Sequence, residues 1–356
     1  MNERISTLSH LILPLLEWFR DNQRTLPWRS DPTPYHVWVS EIMLQQTRVA
    51  AVLGYYRRFM EALPTVADLA QVEEDQLLKL WQGLGYYNRA RNLQKAARQI
   101  MEQFGGQFPR SYPDLLSLAG VGDYTAGAIA SIAFGLPEPA VDGNVLRVVT
   151  RITGDPSDIS QAATKKVIRA ALAEVIPLQA PGDFNQALME LGALVCLPNG
   201  APDCVHCPAH GFCAAHLTGK TAQIPVKGAK KPRKIEERTV YLLFHCGQVA
   251  LRRRPAKGLL AGLWEFPNEV VGSAESAGWG LDLTQAEVCG VGRHIFTHRE
   301  WHMTGKQLFL TNETLPEGWV WADEKAFCET YAVPNAFSAF LPAVEAYFAQ
   351  WRGGLS

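Results

Sequence analysis

The sequence predicts a multidomain chain: an all-α domain over residues 1–225, a basic linker at 226–238 and an α+β domain over 239–356. Three observations carry this expectation. A chain of 356 residues is long enough to bury two cores. Up to about residue 225, apolar residues recur with helical spacing, broken by Gly and Pro and with almost no strand-like alternation. Past a charged, apolar-poor stretch, VKGAKKPRKIEER, the texture changes to short runs of β-branched and aromatic residues.

The first element is an amphipathic helix, in which Leu8, Leu11, Leu15 and Phe19 fall on one face. Glu17, Arg20 and Asp21 interrupt it and no small-residue cleavage site follows, so a secretory signal is not expected. No apolar run approaches bilayer-spanning length, and a soluble, cytoplasmic protein is expected. Beyond the linker, TVYLLFHC and QVALRRR are strand candidates separated by a glycine, KQLFLTN is another, and AFSAFLPAVEAYFAQW closes the chain as a helix. Neither an internal repeat nor a low-complexity tract interrupts this order.

The formal net charge of −1 provides no global field for a polyanion, so any nucleic-acid contact must use local patches or backbone amides. Seven cysteines, four of them (Cys196, Cys204, Cys207, Cys213) within eighteen residues, make a poor disulfide framework and a good metal site.

Three further constellations carry chemistry. In Leu118-Ala-Gly-Val-Gly122, Gly120 and Gly122 flank Val121 ahead of a small-residue helix. Such a turn aims backbone N–H groups outward, where a phosphate can sit; a plain helix–turn–helix joint is the simpler alternative. In Val141-Asp-Gly-Asn-Val145, Asp142 stands at a helix N-cap. Capping holds a carboxylate ionised and fixed, which is also what stabilises a developing oxocarbenium ion. In Trp38-Val-Ser-Glu-Ile-Met-Leu-Gln-Gln-Thr-Arg48, Glu41 lies in a largely apolar helix. Burial there would let it hold a proton near neutral pH as a general acid, whereas an exposed helix glutamate is the commoner fate of the residue type.

Taken together, the glycine hairpin, the aspartate about twenty residues later and the four cysteines resemble the helix-hairpin-helix DNA glycosylase superfamily. SEIMLQQT, GLGYYNRARNL (83–93) and AVDGNV narrow the resemblance to adenine DNA glycosylases of the MutY family, over nearly the whole chain. The resemblance implies an all-α helix-hairpin-helix glycosylase domain with an iron–sulfur cluster loop, followed by an α+β Nudix-like domain. It implies double-stranded DNA as partner, a monomer, and excision of adenine mispaired with 8-oxoguanine or guanine after the base is flipped out. Glu41 would protonate adenine N7 and Asp142 would stabilise the sugar cation, electrostatically or through a transient adduct, with Tyr124 and Asn144 shaping that site. Arg24, Leu26, Trp28, Val49 and Gln186 would form the adenine pocket, although Leu26 and Trp28 read equally well as core. Tyr86 would wedge into the stack while Gln46 and Thr47 touch the exposed bases.

The cysteines run Cys-x7-Cys-x2-Cys-x5-Cys, and the resemblance makes them ligands of one [4Fe–4S] cluster, with one more residue in the first gap than the family pattern. His206, His210 and His216 keep zinc open as an alternative. In the second domain, GLLAGLWEFPNE (258–269) resembles the start of a Nudix pyrophosphohydrolase, but VVGSAESAGWGLDLTQAE follows where a glutamate-rich Mg²⁺ helix belongs. Nucleotide hydrolysis is therefore not expected. The resemblance instead assigns 8-oxoguanine recognition to Phe296, Thr297 and His298, with threonine where the family places serine.

Two other functions compete. A bifunctional glycosylase and lyase for oxidised pyrimidines would need a lysine where Tyr124 stands. A non-catalytic lesion-sensing binder would need neither Glu41 nor Asp142.

Overall fold

A computed structural model describes residues 2–228, 232–311 and 314–354. The chain divides into two compact units, Met1–Gln71 with Arg91–Ala229, and Val72–Ala90 with Lys230–Ser356.

The first unit is helical among its described residues. Its opening helix, Asn2–Asn22, buries Leu8, Leu11, Leu15 and Phe19 to 2% exposure or less, the face its spacing predicts. These side chains pack with Val145, Val148, Val149 and Ile152 of the helix Gly143–Thr153 and with Phe184, Leu188 and Leu191 of the helix Pro181–Leu194. That core therefore holds rigid the two helices that flank the site below.

The second unit is built on a seven-stranded mixed sheet, with β1 (Lys234–His245), β2 (Gln248–Arg253), β3 (Trp264–Glu265), β4 (Asn268–Val270), β5 (Glu287–Ile295), β6 (Arg299–Phe309) and β7 (Trp319–Asp323). The order along the main path is β3-β2-β1-β6-β5, with β4 paired to β1 and β7 to β2. β1 and β6 run parallel from Lys234↔Arg299 to Phe244↔Phe309, and β5 and β6 form an antiparallel hairpin. A 3-10 turn (Asn335–Phe340) and the helix Leu341–Arg352 cover one face through Phe337, Phe340, Val344 and Phe348. The expected closing helix thus begins as a 3-10 turn, ahead of Pro342.

Two expected boundaries shift. The all-α domain was expected to run unbroken from 1 to 225, yet residues 72–90 cluster with the sheet, because their polar side chains bond to its connecting backbone. The linker expected at 226–238 is shorter. Val226 bridges to Asp158, residues 229–231 lie outside the described residues, and β1 already starts at Lys234. Charge made this stretch read as solvated, but the carboxylate of Glu236 is paired with Arg299 and Arg238 and accepts from Trp301 Nε1. Cross-strand charge pairing replaces the apolar pattern that marks a strand.

Candidate active site

Thr33 starts the Glu41 helix, Pro34–Leu44, by accepting from the N–H of His36, and Pro34 occupies the first turn. From Val37 to Met43 every residue is buried, so the helix has no solvent face on which Glu41 could escape. Glu41 is 6% exposed. Burial pushes its pKa up to about 7; the Tyr124 hydroxyl, which donates to Oε2, opposes this, Asp142 raises it further and Arg29 lowers it. The same burial, with Glu41 and Asp142 close by, drives the Tyr124 phenol well above its ordinary value, so it stays a proton donor.

Asp142 is the N-cap of Gly143–Thr153, as expected. Its Oδ1 accepts from Val145 N (2.7 Å) and its Oδ2 from Asn144 Nδ2 (2.7 Å). Burial raises its pKa, while those two donors and the Arg147 charge stabilise the anion. The expectation of a plainly ionised capping carboxylate therefore meets a desolvated one, held by named donors against a burial cost.

Several residues that the sequence left unremarked set this geometry. Asn185, 1% exposed, donates to Ser131 Oγ and Glu138 O and accepts from Ala140 N, pinning the segment that leads into Asp142. Gly192 permits close approach, since a Cβ there would meet Asn144 Cβ at 2.6 Å. Arg147 donates to Asn144 Oδ1 (2.9 Å), Gly192 O (2.7 Å) and Cys196 O (2.8 Å), so one guanidinium joins the aspartate's neighbour to the backbone of the first cysteine.

Glu41, Tyr124, Asp142 and Asn144 line one cavity of about 1170 Å³, together with Arg24, Leu26, Trp28, Val49, Gln186, Gln46 and Thr47. Leu26 and Trp28 serve as both core and wall: they are 4% and 6% exposed, and Trp28 packs edge-on against Tyr56 at 5.1 Å. Gln46 is exposed, in a left-handed conformation with φ 57°.

The cavity also contains a charge cluster that sequence reasoning missed. Glu190, 1% exposed, accepts from Arg24 N, Nε and Nη2 and from Arg29 Nη1 and Nη2, while Arg29 Nε donates to Gln186 Oε1. Burial favours the neutral acid, but the two guanidiniums outweigh it and hold Glu190 at about 2. The available signal was Glu190 falling four residues after Gln186, on the same helix face.

In the hairpin, Gly120 adopts φ 74°, whereas Gly122 is extended and precedes the helix Asp123–Ala128. Val121 departs from expectation: its side chain is 7% exposed and its N–H donates to Leu118 O, so it is not one of the outward amides. The turn itself needs that bond.

In the second unit, Phe296, Thr297 and His298 form the tip between β5 and β6. Phe296 packs edge-on against Trp301 (4.8 Å), leaving Thr297 and His298 exposed. Tyr86, 50% exposed, belongs to this unit too, with its hydroxyl 3.3 Å from Thr297 Oγ1. Where a Nudix metal helix belongs, residues 271–286 contain only the 3-10 turn Ser276–Trp279.

Cys196, Cys204, Cys207 and Cys213 line a common cavity with Arg151, His210 and His216. Among the described residues, no three His, Cys, Asp or Glu side chains converge as ligands of a single metal ion. Burial pushes the Cys207 thiol up to about 12, and Cys196, Cys213 and Cys204 add to the effect. Burial thus favours neutral thiols here, and only a bound cation would hold all four as thiolates; Arg151 Nη1 lies 3.3 Å from Cys196 Sγ. Residues 198–201 of the longer first gap are all exposed, where an added residue disturbs no core.

A helical hairpin domain with a protonatable glutamate and a capped aspartate facing one cavity defines a base-excision glycosylase, and the comparisons agree. Residues 39–177 match the HhH-GPD superfamily of base excision DNA repair proteins, and residues 239–343 match the NUDIX domain. A thermostable thymine-DNA glycosylase superposes with a TM-score of 0.54 at 26% identity, covering 61% of this chain and 98% of that one. Endonuclease III in a trapped covalent DNA intermediate superposes with a TM-score of 0.50 at 26% identity, covering 58% and 93%. The adenine DNA glycosylase of Mus musculus is 35% identical over 88% of this chain and 74% of its own length, and that of Homo sapiens 35% over 90% and 71%. The chain belongs to the adenine DNA glycosylase family, whose members hydrolyse N-glycosyl bonds and are generally iron–sulfur proteins.

Proposed function

We propose that this chain is a monofunctional glycosylase that flips out and removes adenine mispaired with 8-oxoguanine or guanine in double-stranded DNA, acting as a monomer. The observation that carries the chemistry is the pairing, in one cavity, of Glu41 near pKa 7 with the hydrogen-bonded Asp142. Adenine leaves poorly as an anion. Proton donation from Glu41 to N7 makes it a neutral leaving group, and the Asp142 carboxylate faces the positive charge left on the sugar. Tyr124 bonds Glu41 and Asn144 bonds Asp142, so each keeps its carboxylate aimed. Arg24, Leu26, Trp28, Val49 and Gln186 surround the base, and Gln46 and Thr47 meet the strand beside it. Gly120, Val121 and Gly122 shape a backbone turn for phosphate.

On the opposite strand, Tyr86 wedges into the stack and Phe296, Thr297 and His298 read the oxidised guanine. Cys196, Cys204, Cys207 and Cys213 hold one [4Fe–4S] cluster, which cross-links the loop between them. The Cys-x7-Cys-x2-Cys-x5-Cys spacing and the common cavity that the four thiols line support this reading. A DNA substrate supports a cytoplasmic location, associated with the nucleoid if the host is bacterial.

The test uses duplexes carrying adenine opposite 8-oxoguanine. Strand breaks that require hot alkali support simple base removal. Breaks without alkali would implicate an amine, and Lys165, exposed and lining the cavity, is the one to suspect. Unbroken strands under both conditions would leave only a binder.

A further inference from the structure

Tyr86 is held in an unusual way. Its backbone is left-handed at φ 49°, directly after Gly85 at 69° and three residues after Gly83 at 104°. A tyrosine keeps this conformation only where the surroundings over-determine it. Part of the restraint is local. Arg89 Nη2 donates to Leu84 O and Gly85 O, Trp81 Nε1 donates to Gly85 O, and the Arg89 guanidinium lies 5.4 Å and 5.5 Å from the Trp81 and Tyr86 rings.

The rest comes from residues distant in sequence but within the same compact unit. Lys79 Nζ donates to Phe327 O (3.1 Å) and Tyr331 O (2.9 Å), Gln82 Nε2 to Val333 O (2.7 Å), and Asn335 Nδ2 to Gly83 O (3.3 Å). Phe327 lies in the last turn of the helix Glu324–Glu329, where carbonyls lack intrahelical donors and a lysine satisfies them. Val333 is 3% exposed, and Asn335 opens the turn whose Phe337 and Phe340 fill the core under the sheet. The anchors are therefore rigid, and they leave the Tyr86 hydroxyl beside Thr297 at the β5–β6 tip.

We infer that Lys79, Gln82 and Asn335 are positioning residues that clamp the Tyr86 loop to the sheet, so that Tyr86 and the tip Phe296–His298 act as one rigid reader of the opposite strand. The inference rests on the reading of Tyr86 and the tip as opposite-strand contacts. A wedge must enter the stack at a fixed distance from the base being read, and a loose support forfeits that geometry.

The experiment measures single-turnover excision of adenine opposite 8-oxoguanine and opposite guanine by the full chain, with thermal unfolding alongside. The variants are Lys79→Met, Lys79→Arg, Gln82→Ala, Tyr86→Ala and the double variant Lys79→Met with Tyr86→Ala. Lys79→Met is expected to slow excision opposite 8-oxoguanine by about tenfold and opposite guanine by less, which shrinks the preference. Lys79→Arg, which keeps a cationic donor, should restore most of it, and Gln82→Ala should shift the ratio in the same direction. The double variant should be no slower than Tyr86→Ala alone. Equal losses on both duplexes, or additive losses in the double variant, would reduce the clamp to ordinary structural support and overturn the inference. A parent protein that leaves adenine opposite 8-oxoguanine untouched sinks the functional reading as well; a parent with a preference that Lys79→Met retains sinks only the clamp.

Discussion

Replacing Glu41 by glutamine removes one transferable proton from the cavity while keeping the size of the side chain and an oxygen to accept from Tyr124. A positioned general acid contributes roughly 10²–10⁴ in rate, so excision should fall about a thousandfold, equivalent to about 4 kcal/mol of barrier. Binding to the mispaired duplex should change little, because the pocket walls remain. The same residue makes an independent prediction about stability. Burial lifts the Glu41 carboxyl from its ordinary 4.5 to about 7, so between those values the folded protein binds more protons than the unfolded chain. Stability then falls as pH rises from about 4.5 to about 7 and is level above, by about 3 kcal/mol at 1.4 kcal/mol per factor of ten. Glutamine cannot ionise and escapes this cost, so relative to the parent the variant should gain up to about 3 kcal/mol between pH 5 and pH 8. Urea unfolding at the two pH values and single-turnover excision test both halves. Excision within fivefold of the parent would refute Glu41 as the acid. A stability difference unchanged with pH would refute the burial argument from which its pKa follows.

Excision by the parent should decline as pH rises through about 7, where Glu41 loses its proton. Tyr124→Phe deletes a bond that favours the carboxylate, so the alkaline limb of that profile should move upward and the maximal rate fall, read from single-turnover rates across pH. Glu190→Gln strips Arg24 and Arg29 of their shared anion; breaking a buried pair costs about 3–5 kcal/mol in thermal or urea unfolding, and the less compensated Arg29 should move the Glu41 limb downward. Arg147→Met leaves the carbonyls of Gly192 and Cys196 without this donor, at about 1–3 kcal/mol each, and should slow excision together with losing iron, measured by absorbance and metal analysis.

Much of the site was legible because its signals are local. The Glu41 helix signals burial through a largely apolar stretch, even though an exposed glutamate is the commoner fate of the residue type, and Asp142 caps its helix with donors two and three residues away. Leu8, Leu11, Leu15 and Phe19 point inward by periodicity alone. What stayed hidden depends on partners far along the chain. Glu190 meets Arg24 across 166 residues, Asn185 reaches Ala140 across 45, and Lys79 reaches Tyr331 across 252. Each is an ordinary polar residue on a helix until its partner is placed. The charges of β1 misled for the same reason, since a glutamate paired across a sheet and one in a linker look alike in sequence.

The three carboxylates of the cavity divide their labour by environment alone. Two guanidiniums enclose Glu190 and keep it anionic at neutral pH, and by holding Arg29 it keeps a positive charge within range of Glu41. Glu41 is poised near neutrality by opposing influences: desolvation and Asp142 favour its proton, Tyr124 and Arg29 favour losing it. In the proposed reaction this balance couples the two halves of the chemistry. Before the glycosidic bond stretches, the Asp142 anion helps Glu41 hold its proton. As positive charge builds on the sugar beside Asp142, that anion is progressively neutralised and its hold on the Glu41 proton weakens. Glu41 thus becomes a stronger acid as the adenine acquires the electrons that make N7 more basic. A general acid whose strength rises with bond cleavage needs no moving part, only a second carboxylate close enough to be felt and fixed by its own helix cap.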